Sequence, residues 1–294
     1  MTTYTTLISP NQLLSLQQQN TDLQIWDCSF DLMQPAAGRA AFEQVHVLGA
    51  RYVDLDADLS DKSGAADAAS GGRHPLPSRD KFAAWLGARG VTPATQIVVM
   101  DRNGCNYCGR AWWMLQWLGH TNAAVLDGGL QGWQAAGGLV ETGNDNAPVS
   151  STAIYPLNQA AGHIGYAQAA IDFVANAAHK NTHTILDARA APRFRGEVEP
   201  LDPVAGHIPG ALNRPFTLNL QADGFFKPSD VLRQEFDVLL AGRPASHVIH
   251  HCGSGVSAVP NVLAMAIAGY GPTALFAGSW SEWSNRPDLP VAQG

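Results

Sequence analysis

Short apolar runs rich in β-branched residues recur along the chain, and each is followed by a stretch with helical spacing. Gln96–Met100 (QIVVM) and residues 247–251 (HVIHH) have the length and composition of buried strands. Residues 110–119 (RAWWMLQWLG) and 262–269 (VLAMAIAG) follow them as helices, with Gly119 and Gly269 where a left-handed residue closes a helix. Residues 79–90 and 228–242 read as amphipathic helices. Strands alternating with helices predict an α/β chain whose parallel sheets carry helices on both faces. Ligands of such sheets bind beyond the C-terminal ends of the strands. That singles out Asp101 and Cys252, which end the two apolar runs.

The pattern repeats. LQIWDCSFD around Asp27 returns as HTILDARAA around Asp187, and HVLGARYVDLD from His46 as HIPGALNRPF from His207. QIVVMD ending at Asp101 returns as HVIHHC ending at Cys252, and LDGGLQGW ending at Trp133 as FAGSWSEW ending at Trp283. The order is kept and the offset is about 150–160 residues, too long for a solenoid repeat and right for duplicated domains. Residues 141–162 between the copies are rich in Asn, Ser, Thr, Gly and Pro, the chemistry of an exposed connection. The expected domains are 1–145 and 166–294, joined by a linker over 146–165.

Composition narrows the function classes. The 294 residues carry a formal charge of −7, an acidic excess that argues against nucleic acid and anionic membranes as partners. No apolar run has the length to span a bilayer, and the N-terminal stretch lacks the basic start and apolar core of a secretory leader, so the expected location is cytoplasmic. Four scattered cysteines (Cys28, Cys105, Cys108, Cys252) do not make a disulfide framework and suit a reducing compartment.

Candidate chemistry centres on Cys252, in HHCGSGVSA from His250. A strand that ends in Cys and turns through Gly253 and Gly255 into a helix aims backbone N–H groups at the sulfur. Such a setting stabilises a thiolate and any anionic sulfur attached to it. The structural alternative is a small buried hydrophobe. Phosphatases with a cysteine nucleophile use a similar loop that ends in arginine. Ala258 stands at that position, so the guanidinium that grips a phosphate is missing. The loop supplies dipoles and the hydroxyls of Ser254 and Ser257 but no charge of its own.

Together GHIPGALNRPF (206–216), DARAAPRFRGEVEP (187–200), HCGSGVSA (251–258), GSWSEW (278–283) and, in the first half, RAWWML and LDGGLQGW make the chain resemble the tandem-domain rhodanese-like sulfurtransferases over nearly its full length. The resemblance implies two rhodanese-like domains, with the second carrying the catalytic Cys252 and the first inactive, because Asp101 occupies the cysteine position. It implies a ping-pong reaction in which Cys252 takes sulfane sulfur from a small donor as a persulfide and yields it to a thiol, a thioredoxin-like protein or cyanide. No cofactor and no metal are implied.

Loops of the form Cys-Gly-Ser-Gly-Val-Thr go in this family with 3-mercaptopyruvate, and loops with basic residues after the Cys with thiosulfate. Ser257 in place of Thr keeps the hydroxyl. Arg193 matches the family's substrate-binding arginine, with a surface ion pair as the alternative; Arg195 carries the same alternatives. The donor is expected to contact Gly253, Gly255, Val256 and Ser257 as well. A further arginine usual in mercaptopyruvate enzymes is absent, with Leu201 or Asp202 in its place. A Ser–His–Asp relay known in some members maps onto Ser254, His74 and Asp61, the last two expected from the first domain; otherwise His74 packs on a loop. The rivals are thiosulfate as donor and a non-catalytic persulfide carrier.

Weaker signals point elsewhere or nowhere. Cys105-Asn106-Tyr107-Cys108 is a C-x-x-C without the further ligands of a zinc site, and a redox role competes with incidental thiols. His207 reads as a turn residue tying down backbone, and Trp112, Trp113, Trp117, Trp280 and Trp283 as packing. Gly253-x-Gly255 lacks the third glycine of a dinucleotide loop.

Overall fold

The computed structural model describes residues 3–19, 22–144, 154–157 and 166–294. The expected linker, 146–165, lies outside the described residues except for 154–157. The chain forms two compact units.

The first unit is built on a five-stranded sheet in the order Leu7–Ile8, Ala123–Leu126, Gln96–Met100, Leu23–Asp27, Ala50–Tyr52. Every neighbouring pair is parallel, with Asp27 opposite Met100 and Ile97 opposite Ala123. Gln96–Met100 is buried along its whole length, as a central strand covered on both faces must be. The helix after it, Cys108–Leu118, closes on Gly119 at φ 98°. Trp112 and Trp113 on this helix are fully buried.

The second unit repeats the plan with four parallel strands in the order Ala274–Leu275, Val248–His251, Thr184–Asp187, Leu212–Asn213. Val248–His251 is buried throughout, and helix Val259–Ile267 follows it. Gly269 takes φ 77° just past the end of that helix. Ala274, Trp280 and Trp283 share a core with Val174 and Ala177 of helix Ile171–Lys180, around Ile185, Ile249 and Phe276.

The duplication extends to small devices. His46 stacks on Phe42 at 3.8 Å and its Nδ1 lies 2.8 Å from Phe42 O; His207 does the same with Phe194, at 3.8 Å and 2.8 Å. Both histidines pin a turn to the preceding helix.

The units do not follow chain order throughout. Asp61–Leu76 belongs to the second unit and Gln221–Phe226 to the first. The bonds explain why. Arg73 N–H donates to Ser281 Oγ at 2.9 Å, and Gly72 lies so close to Gly278 O that a Cβ would meet it at 2.5 Å. Phe226 N–H donates to Asp127 Oδ1 at 2.9 Å, and the Phe225 ring covers Gly128 and Gly132. His74 and Asp61, expected from the first domain, are therefore part of the second unit.

Candidate active site

Strand Val248–His251 ends at Cys252, and six residues carry the chain to helix Val259–Ile267. The turn is held from behind by the segment after Leu275. Cys252 N–H donates to Ser279 Oγ at 3.0 Å, Trp280 N–H to Cys252 O at 3.0 Å and Ser281 N–H to Gly253 O at 2.8 Å. The two glycines serve different ends. Gly255 takes φ 72°, and a Cβ there would sit 2.1 Å from Ala277 O. Gly253 is not left-handed, contrary to the role its sequence context suggested. It leaves room for guanidinium groups: a Cβ on Gly253 would lie 3.2 Å from Arg73 Nη2 and 3.5 Å from Arg193 Nη1. Cys252, Ser254 and Val256 are buried, and Ser257 is half-buried.

Charge absent from the loop itself thus arrives from outside it. A continuous ladder of ion pairs runs from the sheet to Gly253. Asp187, fully buried, pairs with Arg189 at 2.7 Å. Arg189 reaches Glu199 at 3.3 Å, Glu199 binds Arg193 at 2.6 Å, and Asp202 bridges Arg193 at 3.2 Å and Arg73 at 2.8 Å. Burial pushes the Asp187 carboxyl up, but the His251 and Arg189 charges and the Arg189 hydrogen bonds hold it below the usual carboxylate range. The Asp202 carboxylate, at one of the two positions named above, holds Arg73. Arg73 escapes sequence reading because it precedes its partner Asp202 by 129 positions. Its one sequence signal is adjacency to His74.

His74 Nδ1 lies 2.8 Å from Ser254 Oγ, and both residues are buried. The Arg73–His74 dipeptide thus runs beside Gly253–Ser254. Asp61 N–H donates to Pro75 O at 2.8 Å, which ties its backbone to the residue after His74, while its carboxylate accepts Ser63 N–H and O–H at 3.1 and 2.5 Å. Arg195 stands apart from the ladder in an exposed pair with Glu197 at 2.7 Å.

The first unit contains the matching loop, and there the anion is part of the chain. Asp101 follows strand Gln96–Met100 and its carboxylate accepts four backbone N–H groups: Asn103 and Cys105 at 2.9 Å on one oxygen, Tyr107 and Cys108 at 2.8 Å on the other. A loop of this kind gathers N–H dipoles on a negative group at the strand end. Cys105 and Cys108 are both buried. Burial, the Cys105 thiol and the Asp101 charge push Cys108 well above its ordinary value. Among the described residues no cluster of His, Cys, Asp or Glu could hold a metal ion, and no helix is long and apolar enough to cross a membrane.

The sequence profile of the Rhodanese-like domain matches residues 9–136 and 170–286. A probable 3-mercaptopyruvate sulfurtransferase of Pseudomonas aeruginosa is 41% identical over 295 residues, covering 98% of this chain and 100% of the relative. A putative thiosulfate sulfurtransferase, SseB, of Mycobacterium tuberculosis is 38% identical over 291 residues, covering 98% of this chain and 97% of the relative. The crystal structure of the 3-mercaptopyruvate sulfotransferase SseA of Escherichia coli superposes with a TM-score of 0.74 at 32% identity, covering 95% of this chain and 100% of that one. Two matched domains, full-length relatives and a shared fold agree: the chain belongs to the rhodanese-like family, carries the domain in two copies, and is a sulfurtransferase enzyme.

Proposed function

We propose that the chain moves sulfur from 3-mercaptopyruvate to a thiol, a thioredoxin-like protein or cyanide through a persulfide on Cys252, and that the first copy, with Asp101 at the cysteine position, takes no part in the chemistry. The observation that carries the donor assignment is the 2.8 Å contact of His74 Nδ1 with Ser254 Oγ. When the Cys252 thiolate attacks the donor sulfur, the sulfur–carbon bond breaks and its electron pair passes to the enolate of pyruvate. That enolate must gain a proton, supplied in net terms by the donor's own thiol, and the persulfide is left as an anion. A serine hydroxyl backed by imidazole can polarise the carbonyl and pass that proton. Sulfite leaving from thiosulfate has no such need.

Thiosulfate remains the second reading, because two guanidinium groups stand at Gly253 and suit a dianion. Steady-state kinetics with both donors at matched concentrations, on wild type and Cys252→Ser, separates them. The expected result is faster turnover of mercaptopyruvate and none with Cys252→Ser. Dominant thiosulfate turnover reverses the donor, full activity of Cys252→Ser overturns the persulfide, and no turnover of either donor by wild type leaves a carrier.

A further inference from the structure

The ladder of ion pairs ends on a guanidinium whose Nε–Nη2 edge has no partner among the described residues. Arg193 spends its side-on fork on Glu199, with Nε at 3.2 Å and Nη2 at 2.6 Å, and gives Nη2 to Asp202 besides. Only its Nη1 is left to face Gly253. Arg73 is arranged the other way. Its Nη1 is held by Asp202 at 2.8 Å. Nη2, the nitrogen nearest Gly253, donates to nothing among the described residues, and Nε on the same edge is buried without a partner there. Nε and Nη2 together form the planar fork that matches a carboxylate with two parallel bonds. A buried N–H without an acceptor is costly, and an anion supplied by a ligand removes that cost. The Arg73 side chain as a whole is 23% exposed and borders a groove of about 520 Å³ with Asp202, Leu201 and Ser281.

We infer that Arg73 is a specificity-determining residue that clamps the carboxylate of the keto-acid donor bidentately, with Arg193 adding a single N–H. The inference rests on the mercaptopyruvate reading above. Asp202 has two tasks in this scheme. It fixes the plane of Arg73 through Nη1 and ties it to Arg193, so that both groups face the residue after the nucleophile. His74, next in sequence, then meets Ser254 while Arg73 meets Gly253. One dipeptide addresses both ends of a keto acid, the carboxylate through Arg73 and the carbonyl through Ser254.

The test is mercaptopyruvate kinetics on wild type, Arg73→Ala and Arg73→Lys, with pyruvate as a competitive inhibitor. Loss of a charge-assisted fork raises KM by about 10- to 100-fold. The inhibition constant of pyruvate should rise in parallel, and kcat should fall by less than KM rises. Arg73→Lys keeps the ion pair to Asp202, and with it the local fold, but has no fork; it should still raise KM roughly tenfold. Wild-type turnover with KM and pyruvate inhibition of Arg73→Lys and Arg73→Ala within twofold of wild type overturns the inference and leaves the donor reading standing. Absence of mercaptopyruvate turnover in wild type overturns the donor reading, and the inference falls with it.

Discussion

The imidazole of His74 and the hydroxyl of Ser254 are 2.8 Å apart, although 180 positions separate them in the chain. Both are buried, so the contact is shielded from water and its geometry is fixed by packing. If this pair carries the proton in the donor half-reaction, Ser254→Ala and His74→Asn should lower kcat with mercaptopyruvate by roughly 10²- to 10⁴-fold. Thiosulfate turnover, which needs no proton at the leaving group, should fall by less than tenfold in the same variants. Equal loss with both donors would show that the pair only shapes the loop.

Gly255 is fixed by conformation and by space. At φ 72°, with Ala277 O 2.1 Å from a would-be Cβ, Gly255→Ala combines a strained backbone with a clash against another backbone segment. The strain alone costs about 1–3 kcal/mol. Urea unfolding should show a lower midpoint with an unchanged slope, and the folded fraction should turn over donor slowly. Gly253→Ala, with no left-handed angle to lose, should be far milder in stability and should act on donor KM by crowding Arg73.

In the first unit the anion that organises the loop is Asp101 itself. Asp101→Ala leaves four N–H donors without their acceptor and should cost at least about 3 kcal/mol in chemical denaturation. Turnover per folded molecule should stay at the wild-type level, because the first copy has no part in the proposed chemistry. A large loss of kcat in folded Asp101→Ala protein would contradict that assignment.

His250 supplies a pH dependence. Burial pushes its imidazole down to about 3, and neither ring nitrogen has a partner among the described residues. The unfolded chain binds a proton there near pH 6.5, and the folded chain does not until far lower. The stability contribution is therefore complete above about pH 6.5 and declines as pH falls toward 3, by roughly 1.4 kcal/mol per pH unit. His120, pushed down to about 4 by burial, adds a second slope of the same sign. His250→Leu should flatten the profile by one proton between pH 6.5 and 4, measured by urea titration at each pH.

Much of the scaffold is readable in sequence because it rests on local rules. The strands ending at Met100 and His251 and the left-handed glycines at 119 and 269 follow from runs and caps. The exchange of Cys for Asp101 follows from aligning the two copies. What stays hidden depends on which distant segments fold together. Arg73 lies in a loop whose partners, Asp202 and Ser281, are far along the chain, and no periodicity marks it. Charge counted within the Cys252 loop leaves out the Arg73 guanidinium for the same reason, whereas Arg193 is marked by the motif around it. Sequence order groups Asp61–Leu76 with the first copy, whereas its hydrogen bonds place it in the second unit. Gly253 looked like a backbone hinge because both glycines of the pair share one motif, while only Gly255 takes the left-handed angle.

The crossing of Asp61–Leu76 and Gln221–Phe226 between units has a consequence for how the protein is made. A ribosome that has completed the first 165 residues has not yet supplied the piece that caps Gly128 and Gly132. The emerging first unit must wait, with Asp61–Leu76 unplaced, until the second half is synthesised. The contacts of both units are therefore complete only once the second half has been made. For the same reason, a fragment cut at the apparent linker would carry Cys252 without Arg73 or His74.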